Sequence, residues 1–214
     1  SWRTKWSCQF SVRGLKIKIQ KIDIPVRYGT AFEGERVRKD DLAVEFGGKY
    51  STAFEYLRGK PMDQVEDGKV ALVGPDIDTA QPGKAMPLGI LIDVAGRSFH
   101  EDFESVLERR IHKFVSCASG IMHIGQRDVP WVRVSTEAYD KGFRLKHLGE
   151  LLIHKYKDEF GGIVDKVQVT ILTDEKQIQE SLKAAREAYR KRDERMAGMK
   201  DTDVDRFYSC ILCQ

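Results

Sequence analysis

Two cysteines near the end of the sequence have the spacing of a metal-binding or redox pair. Cys210 and Cys213 are separated by two residues, within the stretch Tyr208–Gln214. Thiolates at this spacing can face one metal centre. A zinc ion or an iron–sulfur cubane usually takes four ligands, however, and Cys8 and Cys117 stand far away in the sequence. From the spacing alone, metal ligation, a redox dithiol and two cysteines packed in a core all remain open.

Four arginines stand at the ends of predicted elements or among apolar residues, where solubility does not require a charge. They are Arg110, Arg127, Arg133 and Arg144. Arg110 lies in the apolar stripe of a predicted helix, so its guanidinium must reach an anion or extend into solvent. Arginine forms bidentate hydrogen bonds to phosphate, which makes a site for a phosphate-bearing ligand one interpretation. Structural salt bridges are the other interpretation.

The remaining charged residues give weaker signals. The stretch 186–195 interleaves acids and bases at pairing distances, which predicts a solvated helix face. The five histidines are scattered, and His147 with His154 lacks the spacing of metal ligands. We therefore assign no catalytic residue and no histidine metal site from the sequence.

The composition excludes several classes of protein. The chain has 214 residues, of which 41% are apolar and 32% charged, and the formal net charge is +3. Because both signs of charge are interleaved throughout, a nucleic-acid partner is not expected. No run approaches the ~18 apolar residues of a membrane span, and no signal peptide opens the chain. Four unevenly placed cysteines do not form a disulfide framework, which favours the reducing cytoplasm.

The elements that must position these residues alternate between strands and helices. Strands are predicted over 12–25, 42–46, 69–73, 87–96, 121–126, 130–135 and 167–171, and helices over 98–115, 145–160 and 174–198. The run 87–96 is apolar on both faces, which predicts an interior strand. This order predicts an α/β fold with a mixed β-sheet flanked by helices and a truncated C-terminal extension.

Six stretches of the sequence are long enough to be compared with a known family. They are Ala31–Glu35, Gly74–Asp78, Pro87–Leu91, Val106–His112, Gly125–Arg127 and Phe207–Gln214. Together they closely resemble acetyl-CoA synthase, the nickel–iron–sulfur subunit of the carbon monoxide dehydrogenase/acetyl-CoA synthase complex. The resemblance covers the family's middle domain and the beginning of its C-terminal domain. Residues 1–11 show no clear period, which predicts a linker or the tail of a missing domain. The resemblance implies a central α/β domain over 12–200 and the truncated start of a metal-cluster domain over 201–214.

The resemblance also implies an activity. The family condenses a methyl group, carbon monoxide and coenzyme A into acetyl-CoA at a [4Fe-4S] cubane joined to nickel, and its partners are a carbon monoxide dehydrogenase subunit and a corrinoid iron–sulfur protein. By this resemblance Cys210 would ligate the cubane and Cys213 would bridge the cubane and the proximal nickel, both being roles that suit a soft thiolate. The other ligands would follow Gln214, so the chain alone is expected to be inactive.

The family's middle domain is associated with coenzyme A, whose phosphates need cations. The arginines that the resemblance assigns to coenzyme A are Arg109, Arg110, Arg127, Arg133 and Arg144. Met122 stands where a relative has a tryptophan linked to coenzyme A binding, so indole stacking at that position is lost. Trp131 is nearby in the sequence. A different class of function, a non-catalytic protein-interaction domain that positions its neighbours, remains the alternative.

Overall fold

A computed structural model describes residues 41–80, 83–97, 104–106, 114–118 and 120–212, with the backbone alone described at 114–118, 207–208 and 210–212. The strands are β1 (Leu42–Gly47), β2 (Ala53–Gly59), β3 (Val70–Val73), β4 (Ala85–Met86), β5 (Leu88–Ala95), β6 (Phe114–Ala118), β7 (Ile121–Gly125), β8 (Trp131–Ser135) and β9 (Lys166–Leu172). The helices are α1 (Thr136–Asp140), α2 (Leu145–Phe160), α3 (Glu175–Met196) and α4 (Asp201–Leu212). Residues 104–106 are also helical, and single 3-10 turns cover Gly48–Tyr50, Met62–Gln64 and Ile77–Thr79.

The described strands form two mixed sheets. Sheet A has the order β4-β1-β8-β7-β6, and sheet B has the order β2-β5-β9-β3. In sheet A, β4 runs parallel to β1 while the other neighbours are antiparallel. In sheet B, β2 is parallel to β5, β3 is parallel to β9, and β5 and β9 are antiparallel.

The main core lies where sheet A, sheet B and α2 meet. Strand β5 is buried along almost its whole length, as expected for an apolar strand covered on both faces. Ile90 and Ile92 point into this core together with Val132 of β8 and Leu148 of α2. Helix α3 packs on the opposite face of sheet B, where Ile178, Leu182 and Tyr189 form a second apolar cluster with residues of β2 and β9; this cluster fixes α3 against the sheet.

Single residues explain where α3 begins and how closely α2 packs against the sheet. The Asp174 carboxylate accepts a hydrogen bond of 3.0 Å from Gln177 N–H and caps α3. Gly149 lets α2 approach β3 closely, because a Cβ at this position would lie 2.4 Å from a methyl carbon of Val70. The apolar stripe of α2 therefore covers the edge strand of sheet B as well as the core.

Most predicted elements are confirmed, and the α/β class with mixed sheets is confirmed. The prediction that Phe114 and Val115 belong to a helix is wrong: both lie in β6, which forms an antiparallel hairpin with β7. The turn before β7 contains Gly120 at φ +77°, a conformation that glycine adopts without strain and that permits the chain to reverse. Strand β2 and helices α1 and α4 were not predicted from the sequence. The strand predicted over 12–25 and the start of the helix predicted at 98 lie outside the described residues.

In the part of the chain that the structure describes, no helix is long and apolar enough to cross a membrane.

Candidate functional site

Five arginines are assigned to coenzyme A binding by family resemblance, and the structure describes the side chains of three of them. The predicted site residues that lie outside the described part are Arg109, Arg110 and Cys213. Cys210 is described by its backbone only, in α4.

Arg133 lies on the face of sheet A that points away from sheet B, because its neighbours Val132 and Val134 point into the core. Its Nε is 3.0 Å from Oε2 of Glu45 on β1, and its guanidinium carbon lies 5.1 Å from the ring centroid of Trp131. Only 12% of the Arg133 side chain is exposed. The guanidinium is thus held between an indole and a carboxylate, an arrangement that combines an aromatic surface with a fixed positive charge.

Met122 is the direct neighbour of Arg133 in the ladder of β7 and β8. It is buried, with 4% of its surface exposed. Trp131 pairs with Ile124, two residues further along β7, so Trp131 and Met122 share one face of sheet A. The indole therefore stands two ladder positions from Met122, on the same face of sheet A.

Arg127 lies in the loop between β7 and β8 and contacts α3. Its Nη1 donates to the Asp193 carboxylate at 2.7 Å, and its guanidinium carbon lies 5.0 Å from the ring centroid of Tyr189. The backbone carbonyl of Arg127 accepts hydrogen bonds from Glu55 N–H at 2.9 Å and from the Tyr189 hydroxyl at 3.2 Å. This residue thus joins sheet A, the edge strand of sheet B and α3.

Arg144 is the residue immediately before α2, and its surroundings are acidic. Its Nε is 3.2 Å from Oδ1 of Asp78, while Asp76 accepts a hydrogen bond from Leu145 N–H at 3.0 Å. A carboxylate of the chain itself therefore occupies the position at the helix N-terminus that would otherwise attract a phosphate.

His147 caps the same helix in the neutral form. Arg144 N–H donates to His147 Nδ1 at 2.8 Å, which requires that this nitrogen carries no proton. Burial lowers the pKa of His147, and the nearby positive charge of Lys146 lowers it further. A neutral histidine is thus part of the α2 N-terminus, where its Nδ1 accepts the hydrogen bond from Arg144 N–H.

The three described arginines form ion pairs with three different carboxylates. Those of Asp193, Glu45 and Asp78 lie on α3, on β1 and in a 3-10 turn, respectively. These ion pairs therefore do not by themselves bring the guanidinium groups together. Each of these ion pairs also fits the other interpretation, in which the arginine has a purely structural role.

One prediction about the charged stretch 186–195 is wrong at a single residue. Most of the stretch is exposed, as predicted, but Arg192 is 6% exposed. Its Nη2 donates to the Leu57 carbonyl at 2.5 Å and to Glu104 Oε2 at 2.8 Å, and its guanidinium carbon lies 5.2 Å from the Tyr56 ring centroid. Arg192 is therefore a buried contact between α3 and β2, because it is on the helix face that continues the apolar stripe through Tyr189.

Sequence reasoning also missed a buried acid–histidine pair. His123 Nε2 lies 2.7 Å from Glu55 Oε2, and the two side chains are 1% and 5% exposed. Gly125 leaves room for the carboxylate, since a Cβ there would stand 2.8 Å from Glu55 Oε1. A histidine inside an apolar strand was the available signal, but its partner lies in β2, a strand that was not predicted.

The cysteines offer an incomplete ligand set for a cubane. A cubane takes four thiolates, and this chain places only Cys210 and Cys213 close together in sequence. Among the described side chains, no group of three or more histidines, cysteines, aspartates or glutamates is arranged to hold a metal ion. The two thiolates fit a cubane only if at least two further ligands complete it.

Comparison with known proteins identifies the family. A family model described as the CO dehydrogenase/acetyl-CoA synthase complex beta subunit matches residues 24–178. The chain belongs to this family. A second model, which describes the C-terminal part of the ACS/CODH beta subunit, matches residues 189–214 and includes both cysteines of the pair. Both boundaries, at 178 and 189, fall inside α3, so one helix connects the two matched regions.

Individual relatives, named as subunits of such complexes, are similar to this sequence over most of its length. A carbon monoxide dehydrogenase/acetyl-CoA synthase subunit alpha from Moorella thermoacetica is 52% identical over 202 residues, which cover 94% of this chain and 28% of the relative. An acetyl-CoA decarbonylase/synthase complex subunit beta from Methanopyrus kandleri is 46% identical, covering 90% of this chain and 41% of the relative. A subunit beta 1 of the same kind of complex from Methanocaldococcus jannaschii is 43% identical, covering 95% and 27%. The chain thus spans well under half of the length of these relatives.

Proposed function

We propose that this chain supplies the coenzyme A side and two cluster cysteines of an acetyl-CoA synthase. The whole protein would condense a methyl group, carbon monoxide and coenzyme A into acetyl-CoA. The observation that supports this proposal is the combined family match, in which the region bearing the arginines and the region bearing both cysteines belong to one type of subunit.

The metal-bearing part of the proposal concerns Cys210 and Cys213. Their thiolates would be two ligands of a nickel–[4Fe-4S] centre completed by residues outside this chain, and that centre would supply the chemistry of carbon–carbon and carbon–sulfur bond formation. The role of this chain would be to present the two thiolates, which are close to one another in sequence, from the segment that follows α3.

The ligand-binding part of the proposal concerns the arginines. Coenzyme A carries a 3′-phosphate and a pyrophosphate, and a guanidinium fork matches both. Arg133 is a strong candidate, because its guanidinium lies 5.1 Å from the ring centroid of Trp131 and so combines a cation with an aromatic surface. We include Arg109, Arg110, Arg127 and Arg144 by family resemblance; of these, Arg144 lies in the most acidic surroundings.

The test is calorimetric titration of coenzyme A into the full chain and into Arg127→Ala, Arg133→Ala and Arg190→Ala variants. A charge-assisted hydrogen bond is worth about 1.5–3 kcal/mol, so losing a contacting arginine should weaken binding about 10- to 100-fold. Arg190 is exposed on α3 and paired with Glu187, which makes it the appropriate control. Added salt should weaken wild-type binding, and lysine at position 133 should restore only part of it.

Two outcomes would contradict the coenzyme A assignment. One is that coenzyme A and dephospho-coenzyme A bind equally at every salt concentration; the other is that the Arg127 and Arg133 variants bind like wild type. In either case the arginines are structural, and the alternative function, a non-catalytic interaction domain, gains support.

We further propose that the complete protein works in the cytoplasm with a carbon monoxide dehydrogenase subunit and a corrinoid iron–sulfur protein. The first partner agrees with the description of the matched family, which names a CO dehydrogenase/acetyl-CoA synthase complex. Co-purification of the full chain with each candidate partner, with and without the residues after Met196, tests whether the contacts lie on this domain.

A further inference from the structure

Arg127 is attached to α3 by two kinds of contact that differ in exposure. The first is buried: Tyr189 places its hydroxyl between the carbonyls of Glu55 and Arg127, at 2.5 Å and 3.2 Å. The second is the ion pair of Arg127 with Asp193, whose side chain is 66% exposed. Because Asp193 is largely exposed, water screens this ion pair and makes it weak, whereas the buried contacts are much harder to replace.

The carboxylate of Asp193 occupies the donor edge of the arginine that the proposed function assigns to a phosphate. Arg127 Nη1 donates to Asp193 Oδ1 at 2.7 Å, and 15% of the Arg127 side chain is exposed. A phosphate that used the same edge would stand within about 4–5 Å of the carboxylate, a distance at which two negative charges repel each other. The ligand and Asp193 therefore compete for this edge of the Arg127 guanidinium.

We propose that Asp193 is a built-in competitor for Arg127, so that binding of a phosphate-bearing ligand releases α3 from this ion pair. This inference rests on the proposed function, because it takes coenzyme A as the ligand. By linkage, whatever Asp193 contributes to holding α3 is subtracted from the affinity for the ligand, and ligand binding weakens the attachment of α3 by the same amount.

The position of Asp193 determines which part of α3 the competition affects. It is three residues before Met196, where α3 ends, and α4 with Cys210 follows from Asp201. The buried contacts of Tyr189 and Arg192 lie on the N-terminal side of Asp193 and do not involve its carboxylate. Release of the ion pair therefore removes one of the contacts that hold the C-terminal end of α3, where Met196 also packs with Val106 and Val204. The buried contacts nearer the N-terminus keep the rest of the helix in place.

The first test compares coenzyme A affinity in the full chain and in two isosteric variants. Asp193→Asn removes the competing charge and should bind coenzyme A about 2- to 5-fold more tightly, which corresponds to the strength of an exposed ion pair. Asp128→Asn is the matched control, because Asp128 is also exposed and next to Arg127 in sequence but pairs with Arg186. Equal affinities of wild type and Asp193→Asn, or equal tightening by both variants, would overturn the competition.

The second test measures amide hydrogen exchange in α3 and α4. Coenzyme A should accelerate exchange after Asp193 in wild type and leave the amides around Tyr189 protected. In Asp193→Asn the faster exchange should already be present without ligand. No change in the segment after Asp193 on ligand binding would contradict the release.

The outcome also separates this inference from the proposed function. If wild type does not bind coenzyme A, the proposed function fails and the inference fails with it. If Arg133→Ala weakens binding while Arg127→Ala does not, the coenzyme A site stands, but the ligand does not reach Arg127 and the competition is refuted.

Discussion

The imidazole of His123 and the carboxylate of Glu55 join the two sheets through a contact of 2.7 Å between Nε2 and Oε2. Both side chains are almost fully buried. The pair stands beside the backbone junction at which Arg127 O accepts a hydrogen bond from Glu55 N–H. Sheet A and the edge strand of sheet B are therefore connected by side-chain and main-chain contacts at the same place.

Removing either partner of this pair should destabilise the domain strongly. The residue left behind would be a buried polar group that has lost its closest partner, which costs about 1–3 kcal/mol or more. Urea unfolding of His123→Ala, Glu55→Ala and the double variant should show a non-additive loss of free energy. Arg97→Ala, which removes an exposed ion pair with Asp165, is the control and should change little. Additive losses would mean that the two residues do not act as a pair.

Arg192 should behave as a core residue although its neighbours in sequence are charged. Arg192→Ala should lower the free energy of unfolding by about 2–4 kcal/mol, because the Leu57 carbonyl and Glu104 each lose a buried donor. Arg190→Ala, two residues earlier on an exposed face, should leave stability unchanged. Similar unfolding curves for the two variants would contradict the buried role of Arg192.

His147 should make stability depend on pH. Its pKa is lowered by burial and by Lys146, so the unfolded chain binds a proton at a higher pH than the folded domain does. Stability should therefore fall as the pH drops below the unfolded value of about 6.5. His147→Gln keeps a hydrogen-bond acceptor at the third position of α2 but cannot be protonated. The loss of Tm between about pH 7 and pH 5.5 should be smaller in this variant, and equal losses would exclude His147 as the source.

Because α2 and β3 approach closely at Gly149, the stability of the domain should depend on the sizes of the side chains at positions 149 and 70. Gly149→Ala should destabilise the domain by about 1–3 kcal/mol, although alanine favours helix by about 1 kcal/mol, because the new methyl group would collide with Val70. Adding Val70→Ala should recover part of the loss. A Gly149→Ala variant that is more stable than wild type in thermal unfolding would show that the helix can shift away from the strand.

The chain alone should not retain a stable metal cluster. Two thiolates leave at least half of the coordination of a cubane open, so reconstitution with iron, sulfide and nickel should yield little stoichiometric metal. Metal analysis after gel filtration measures this directly. Recovery of four irons and two nickels per chain, dependent on Cys210 and Cys213, would contradict the expectation.

The sequence predicts the elements whose signals are local. Strand β5 and helix α2 follow from an apolar run and from a stripe of helical period, and both are found close to their expected bounds. Phe114 and Val115 were misassigned because two apolar residues at the end of a helical stripe fit a strand equally well. Only the pairing with β7, which no local pattern encodes, decides between them.

The site residues are harder to predict, because their partners are distant in the sequence. Arg192 is buried by Tyr56 and Leu57, more than a hundred residues earlier, although its own charge and the charged residues on both sides of it in the sequence favour exposure. Glu55 lies in a strand whose apolar pattern is interrupted by its own charge. Arg133 stands out in the sequence because it lies among apolar residues, but its contact with Glu45 depends on the pairing of β1 with β8, which no local pattern encodes.

The order of strands in sheet B has a consequence for synthesis of the protein. Strand β9 lies between β5 and β3, so β3 cannot join the sheet until Leu172 has left the ribosome. More than a hundred residues, from the start of β2 to the end of β9, are therefore synthesised before sheet B can be completed. The chain is elongated at about 5–20 residues per second. During those seconds the apolar side chains of β5 lack the neighbouring strand β9, and ribosome-bound chains that end before β9 are the species that should recruit chaperones.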